Sequence, residues 1–181
     1  MPIKGYKSEI QQKNLAWFLP RPKPDHYRGG MPLYCEEWLI ELANDLLGFE
    51  GSLLNLFCGM NKLGYRVDIK SEVKPDLLCD VHKLSNKLHE TFDIILADPP
   101  YSDEESEEIY KTGKLNYKVW TSEADKVLKP SGLFIVYHKY VMPNPNPDKY
   151  GVEKRVFIGN RTYHLLRSAI FFRKKGGKIN V

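Results

Sequence analysis

Cysteine is scarce in this chain: three in 181 residues, Cys35, Cys58 and Cys79. They form no CxxC pair and stand at no metal-ligand spacing with histidine, so neither a disulfide framework nor a zinc site is indicated, and a reducing cytoplasm is the default expectation. Long apolar runs are missing as well. No segment approaches the roughly 20 apolar residues that span a bilayer, and no basic start precedes an apolar stretch of signal-peptide length. The expectation is a cytoplasmic protein with no membrane contact. One-sided charge is also lacking: 27 Lys plus Arg face 23 Asp plus Glu, a net +4. Such a small excess suits a polyanionic partner without demonstrating one. Basic residues gather in 21–28 and 173–178 and acidic ones in 103–108; runs of this kind are usually solvated.

What is present is the composition of a globular α/β protein, 42% hydrophobic and 28% charged, in a length that fits one domain. Residues 1–31 are polar, aromatic and proline-rich, with Pro20, Pro22 and Pro24 alternating, so they read as an extended arm. The domain proper is 32–181, with no separate target-recognition domain and no internal repeat. Within 33–47, Trp38, Leu39, Leu42, Ala43, Leu46 and Leu47 recur at three- and four-residue intervals, which predicts an amphipathic helix stopped by Gly48.

Short apolar runs predict strands at 52–57, 65–69, 76–79, 92–97 and 133–138. The stretch 81–90 reads as a loop or short helix and 104–112 as a lid or short helix. A further helix is expected at 119–128, closed by Lys129-Pro130-Ser131-Gly132. The segments 154–158 and 165–173, joined around Gly159-Asn160, read as a terminal antiparallel hairpin. Interleaved strands and helices imply a mostly parallel sheet whose ligands bind off the strand carboxyl ends.

The strand at 92–97 runs straight into Asp98-Pro99-Pro100-Tyr101, and proline ends it there because it donates nothing to a ladder. A carboxylate at such a corner accepts a hydrogen bond from an amino group, while the two prolines lock the backbone so that a carbonyl faces the cleft. Tyr101 offers a ring on which a planar base can stack, its amine held between two acceptors.

This motif, after its apolar strand, resembles the (D/N/S)PP(Y/F/W) signature of class I S-adenosylmethionine-dependent amino-methyltransferases, the group containing N6-adenine and N4-cytosine DNA methyltransferases. The likeness extends over 32–173. It implies a Rossmann-like sandwich with S-adenosyl-L-methionine as cofactor and Asp98, Pro99, Pro100 and Tyr101 as the catalytic residues. The cofactor turn of that family resembles Asn55-Leu56-Phe57-Cys58-Gly59, which assigns cofactor contacts to Asn55, Phe57, Cys58 and Gly59. Acidic residues after the second and third strands, matched by Asp68 and Asp80, are implied for the ribose hydroxyls and the adenine amine; Asp80 as the ribose ligand stays open. Tyr27 and Gly30 are candidates for a segment closing over the cofactor.

Asp68 stands only nine positions after Gly59, against about 20 for a complete turn, helix and strand. The first crossover is therefore expected to be shortened to a turn. Cys58 reads as a small buried hydrophobe, and no Pro-Cys pair exists to attack cytosine C5. No metal is implied.

The aspartate form of the motif favours a nucleobase amine, adenine N6 in DNA first. The alternatives are an RNA base, at adenine N6 or guanine N2, and a non-catalytic subunit that keeps the fold to bind nucleic acid. The expected partner is nucleic acid, DNA before RNA, with a homodimer or a specificity subunit as a further partner.

Overall fold

In the computed structural model the described residues are 13–19, 31–101, 114–160 and 165–176. Cys35, Leu39, Leu42 and Ala43 line one side of helix α1 (Leu33–Leu47) and are fully buried, so the helix packs by this stripe and ends at Gly48. Eight strands form one sheet: β1 (Asn14–Leu19), β2 (Leu53–Leu56), β3 (Tyr65–Asp68), β4 (Leu77–Leu78), β5 (Phe92–Ala97), β6 (Leu128–His138), β7 (Tyr150–Asn160) and β8 (Leu165–Lys174). A second helix, α2 (Tyr117–Val127), precedes β6, and a 3-10 segment (Val81–Asn86) follows β4.

The spatial order is β1-β7-β8-β6-β5-β2-β3-β4. Every pairing is parallel except those of β8, which runs antiparallel to both β6 and β7. This is the expected α/β sandwich with a C-terminal antiparallel hairpin. Alternation along the central strands builds two cores. Ile94, Leu96, Leu133 and Ile135 face α1, while Ile95, Ala97, Phe134 and Val136 face α2 and the 3-10 segment. Strand order reverses between β5 and β2, and at that switch point ligands bind off the carboxyl ends.

The shortened crossover is present. Residues 57–64 link the parallel strands β2 and β3 without a helix, where such links usually need a dozen residues or more. The chain manages this with left-handed backbone at Phe57 (φ 57°), Gly59 (φ 51°) and Gly64 (φ 71°). Three expectations are revised. Part of the segment read as an extended arm, Asn14–Leu19, is an edge strand beside β7. Lys129 to Gly132 do not form a break before β6: the strand starts at Leu128, and these residues form a bulge between the Phe92–Leu128 and Ile94–Leu133 pairs, with Ser131 at φ 63°. The β7 strand is longer than 154–158 because backbone pairing with β8 continues past the alternating apolar positions. Among the described residues no helix is long and apolar enough to cross a membrane.

Gly64 is where the short link is most demanding. A Cβ there would lie 2.6 Å from Leu53 Cγ and 2.7 Å from the Leu53 carbonyl oxygen. Left-handed strain and overpacking combine, so Gly64→Ala is expected to lower stability by about 2–4 kcal/mol, measurable as a reduced urea midpoint at unchanged slope.

Candidate active site

The turn leaving β2 and the corner leaving β5 lie side by side, because β2 and β5 are paired from Leu53–Ile94 to Leu56–Ala97 and the Asp98 amide donates to the Leu56 carbonyl (3.4 Å). Gly59 donates its amide to Asp68 Oδ2 (2.9 Å), and Lys70 donates to Asp68 Oδ1 (2.9 Å). The Asp68 carboxylate at the end of β3 therefore anchors the glycine turn from the next strand. Phe57 turns the other way, its ring edge-on to Trp120 at 5.3 Å. Cys58 is fully buried, and burial first, with the nearby Asp68 charge, pushes its thiol up to about 12. It is a packing group that stays protonated, with no thiolate to act as nucleophile.

Asp80, at the end of β4, caps the 3-10 segment. Its Oδ1 accepts from the His82 amide (3.0 Å) and meets His82 Nδ1 at 2.8 Å, while His82 Nε2 accepts the Asn116 amide (3.0 Å). Burial opposes the Asp80 charge, but the two His82 hydrogen bonds outweigh it and hold the carboxyl below its ordinary range. Gly59, Asp68, Asp80 and Asp98 thus all lie along one edge of the sheet. Tyr27 and Gly30 lie outside the described residues.

Asn55 is buried on the α1 side of β2, where its amide donates to Glu36 Oε1 and to the Leu63 carbonyl (3.3 Å). Glu36 is 0% exposed, and its Oε2 is buried with no hydrogen-bond partner among the described residues. Desolvation pushes the Glu36 carboxyl up to about 7 against the opposing hydrogen bonds of Asn55 and Asn61. Sequence reasoning passed over this residue, although Glu36 falls on the apolar stripe, three and seven positions before Leu39 and Ala43. A charge on a buried stripe was the available signal.

The Asp98 carboxylate accepts from the Tyr101 hydroxyl and from the Met31 amide. It keeps some contact with solvent, yet the protein packs densely around it. Desolvation pushes it up to about 7, countered by Arg167 and the Tyr101 hydroxyl and reinforced by Glu36. Arg167, also unforeseen from sequence, reaches in from β8. Its Nε donates to the Tyr101 hydroxyl (3.3 Å), and its guanidinium lies 4.6 Å from the Tyr101 ring centre. His138, at the end of β6, meets the same ring edge-on at 5.1 Å. Beside this corner a cavity of about 160 Å³ is lined by Pro99, Pro100, Tyr101, Leu115, Tyr117, Trp120, His138 and Met142. It is an apolar, aromatic slot with no carboxylate among its lining residues, suited to a flat ring. Among the described residues no cluster of three His, Cys, Asp or Glu side chains could hold a metal.

Glu36 is expected to make stability fall with pH. The folded carboxyl keeps its proton up to about 7, whereas the unfolded one releases it near 4.5. The stabilising contribution is full below the lower value and lost as pH rises through the upper one. Glu36→Gln should therefore show a smaller decline in unfolding free energy between pH 4.5 and 7.5 than the parent chain, measured by urea titration at each pH.

Neither a protein-family model nor a curated protein matches the chain. Solved structures do. One is TrmN from Thermus thermophilus, with TM-score 0.59 and 16% identity over 81% of this chain and 50% of that one. This chain thus spans about half the length of that protein. Another is the N-methyltransferase NodS from Bradyrhizobium japonicum WM9 in complex with S-adenosyl-l-homocysteine, with TM-score 0.57 and 14% identity over 84% of this chain and 93% of that one. With its eight-stranded sheet and reversal of order between β5 and β2, the chain has the Rossmann-like fold of these two proteins.

Proposed function

We propose that the chain is an S-adenosyl-L-methionine-dependent methyltransferase acting on the exocyclic amino group of a nucleobase, adenine N6 in DNA foremost. The observation that carries this reading is the Asp98-Pro99-Pro100-Tyr101 corner, held beside the Cys58-Gly59 turn at the switch point and opening on an aromatic slot. The likeness to NodS, described as an N-methyltransferase with S-adenosyl-l-homocysteine, supports the cofactor class.

The residues present fit that cofactor. Its ribose hydroxyls, adenine amine and methionine ammonium are all donors, and the sheet edge supplies acceptors for them: Asp68, Asp80 and the orphaned Glu36 Oε2. When bound, the cofactor supplies a methyl group on a sulfonium, an excellent leaving group, so the protein has mainly to align and desolvate. Asp98 accepts an N–H of the target amine and turns its lone pair outward. The Pro99-Pro100 backbone fixes that direction, and Tyr101 with the slot walls keeps water from the ring. A carboxyl that binds a proton near neutrality can also take the proton the amine sheds after transfer. The Tyr101 hydroxyl, which now donates to Asp98, must yield that position to the amine.

Ionised Asp98 is the stronger acceptor and the only form able to take the proton the amine sheds, so kcat/KM is expected to rise with pH through about 7 and then level off. Asp98→Ala and Tyr101→Ala should abolish label transfer while cofactor binding persists, and Asp68→Ala should weaken the cofactor. The deciding assay is transfer of labelled methyl to duplex DNA, single strands and RNA, followed by mass analysis of the nucleosides. Label on N6-methyladenine from DNA supports the reading; unchanged turnover in Asp98→Ala, or no transfer to any nucleic acid, overturns it.

A further inference from the structure

The end of β6 presents a second aromatic ring outside the slot. Tyr140 is 60% exposed, yet its backbone is fixed on both sides: its amide donates to His138 Nδ1 (3.0 Å) and its carbonyl accepts from Ser168 Oγ on β8 (2.7 Å). Its ring leans against that of His138 at 5.4 Å, and His138 in turn abuts Tyr101. An aromatic residue on a fixed backbone, with its ring against a neighbour, has paid part of its ordering cost before any ligand arrives.

Between the two tyrosines stands Lys139. Its Nζ lies 5.2 Å from the Tyr140 ring centre and 5.8 Å from that of Tyr101. Other cations of the fold are matched with carboxylates: Arg66 with Asp76, Lys129 with Asp93, Lys149 and Lys174 with Asp125, Arg173 with Glu153. Lys139 and Arg167 instead face the π-clouds of these tyrosines, and Arg167 is also close enough to Asp98 to offset its charge. At the mouth of the slot the order is thus ring, cation, ring: Tyr101, Lys139, Tyr140. A polynucleotide repeats the same pattern of base, phosphate, base, with stacking and charge as the two terms that bind single strands.

Resting on the function proposed above, we infer that Tyr140 is a stacking subsite for the nucleotide next to the target base, with Lys139 contacting the phosphate that joins them. The substrate is then a strand with an unpaired neighbour beside the target; a free nucleoside or a protein amine would leave this outer subsite empty. Exposed Val141 and Leu166 extend the apolar surface around the ring.

The test is fluorescence anisotropy with a labelled single-stranded DNA pentanucleotide carrying adenine at its centre, in the presence of S-adenosyl-L-homocysteine. Probes lacking the base on one or the other side of the target are compared. Loss of the neighbouring base on one side should weaken binding about tenfold. Tyr140→Ala should weaken the intact probe by a similar factor and be indifferent to loss of that base, while Tyr140→Trp retains affinity. Lys139→Ala should lower the salt slope by about one. Thermal unfolding of Tyr140→Ala should match the parent, since the side chain is exposed. Equal affinity of parent and Tyr140→Ala, or an abasic penalty that persists in Tyr140→Ala, overturns the subsite. Label transfer in the same samples reports on the catalytic reading separately: transfer with no Tyr140 effect removes only the subsite, and a Tyr140 effect without transfer removes only the chemistry.

Discussion

The Asp98 carboxyl at the end of β5, whose surroundings include the buried Glu36 carboxyl of α1, is the constraint around which the site is organised. Glu36 comes down from α1 and Asp98 ends β5; each raises the proton affinity of its surroundings, and both titrate near neutrality rather than near four. Negative charge in so densely packed a place must be offset. Asn55, the Met31 amide, the Tyr101 hydroxyl and Arg167 share that task, and they come from four different parts of the chain. The cluster therefore ties α1, β2, the proline corner and the C-terminal hairpin to one point. Within it, Glu36 Oε2 is a buried acceptor with no hydrogen-bond partner among the described residues.

The aromatic side of the sheet sets the position of this cluster. Trp120 meets Phe57, Tyr117 and Phe134 edge-on at 5.3–5.7 Å, so one indole joins the β2 turn, α2 and the central strand β6. Edge-to-face contacts tolerate little rotation. The β2 turn is thus held against α2 and β6 by one indole, which also forms a wall of the slot beside the proline corner.

Much of this was legible in residue order. The α1 bounds and those of β5 follow from periodicity and from the stops that bracket them, Pro32 and Gly48 for one, Pro99 for the other. The nine-residue spacing of Gly59 and Asp68 announced a crossover without a helix, and the structure ties the same two residues by a hydrogen bond. What escaped depends on distance in sequence. Arg167 reaches Tyr101 across 66 positions, and nothing local in Leu165-Leu166-Arg167 marks that arginine as facing inward. Likewise, the bulge at Lys129 to Gly132 carries turn residues and looks like a break until β5 is set beside it. Asn14–Leu19 resembles a proline-bounded arm until β7 offers an edge.

That edge pairing has a consequence for how the chain assembles. Strand β1, near the beginning of the sequence, lies parallel to β7, which is made almost at the end. Its contacts are about as non-local as this chain allows, and such contacts form late because the intervening segment must close first. During synthesis the outer edge of β7 does not yet exist, so residues 14–19 emerge without a template. Afterwards β7 is exposed as an open pairing edge until they return. In that interval the edge of β7 presents unpaired backbone donors and acceptors, which the return of residues 14–19 covers.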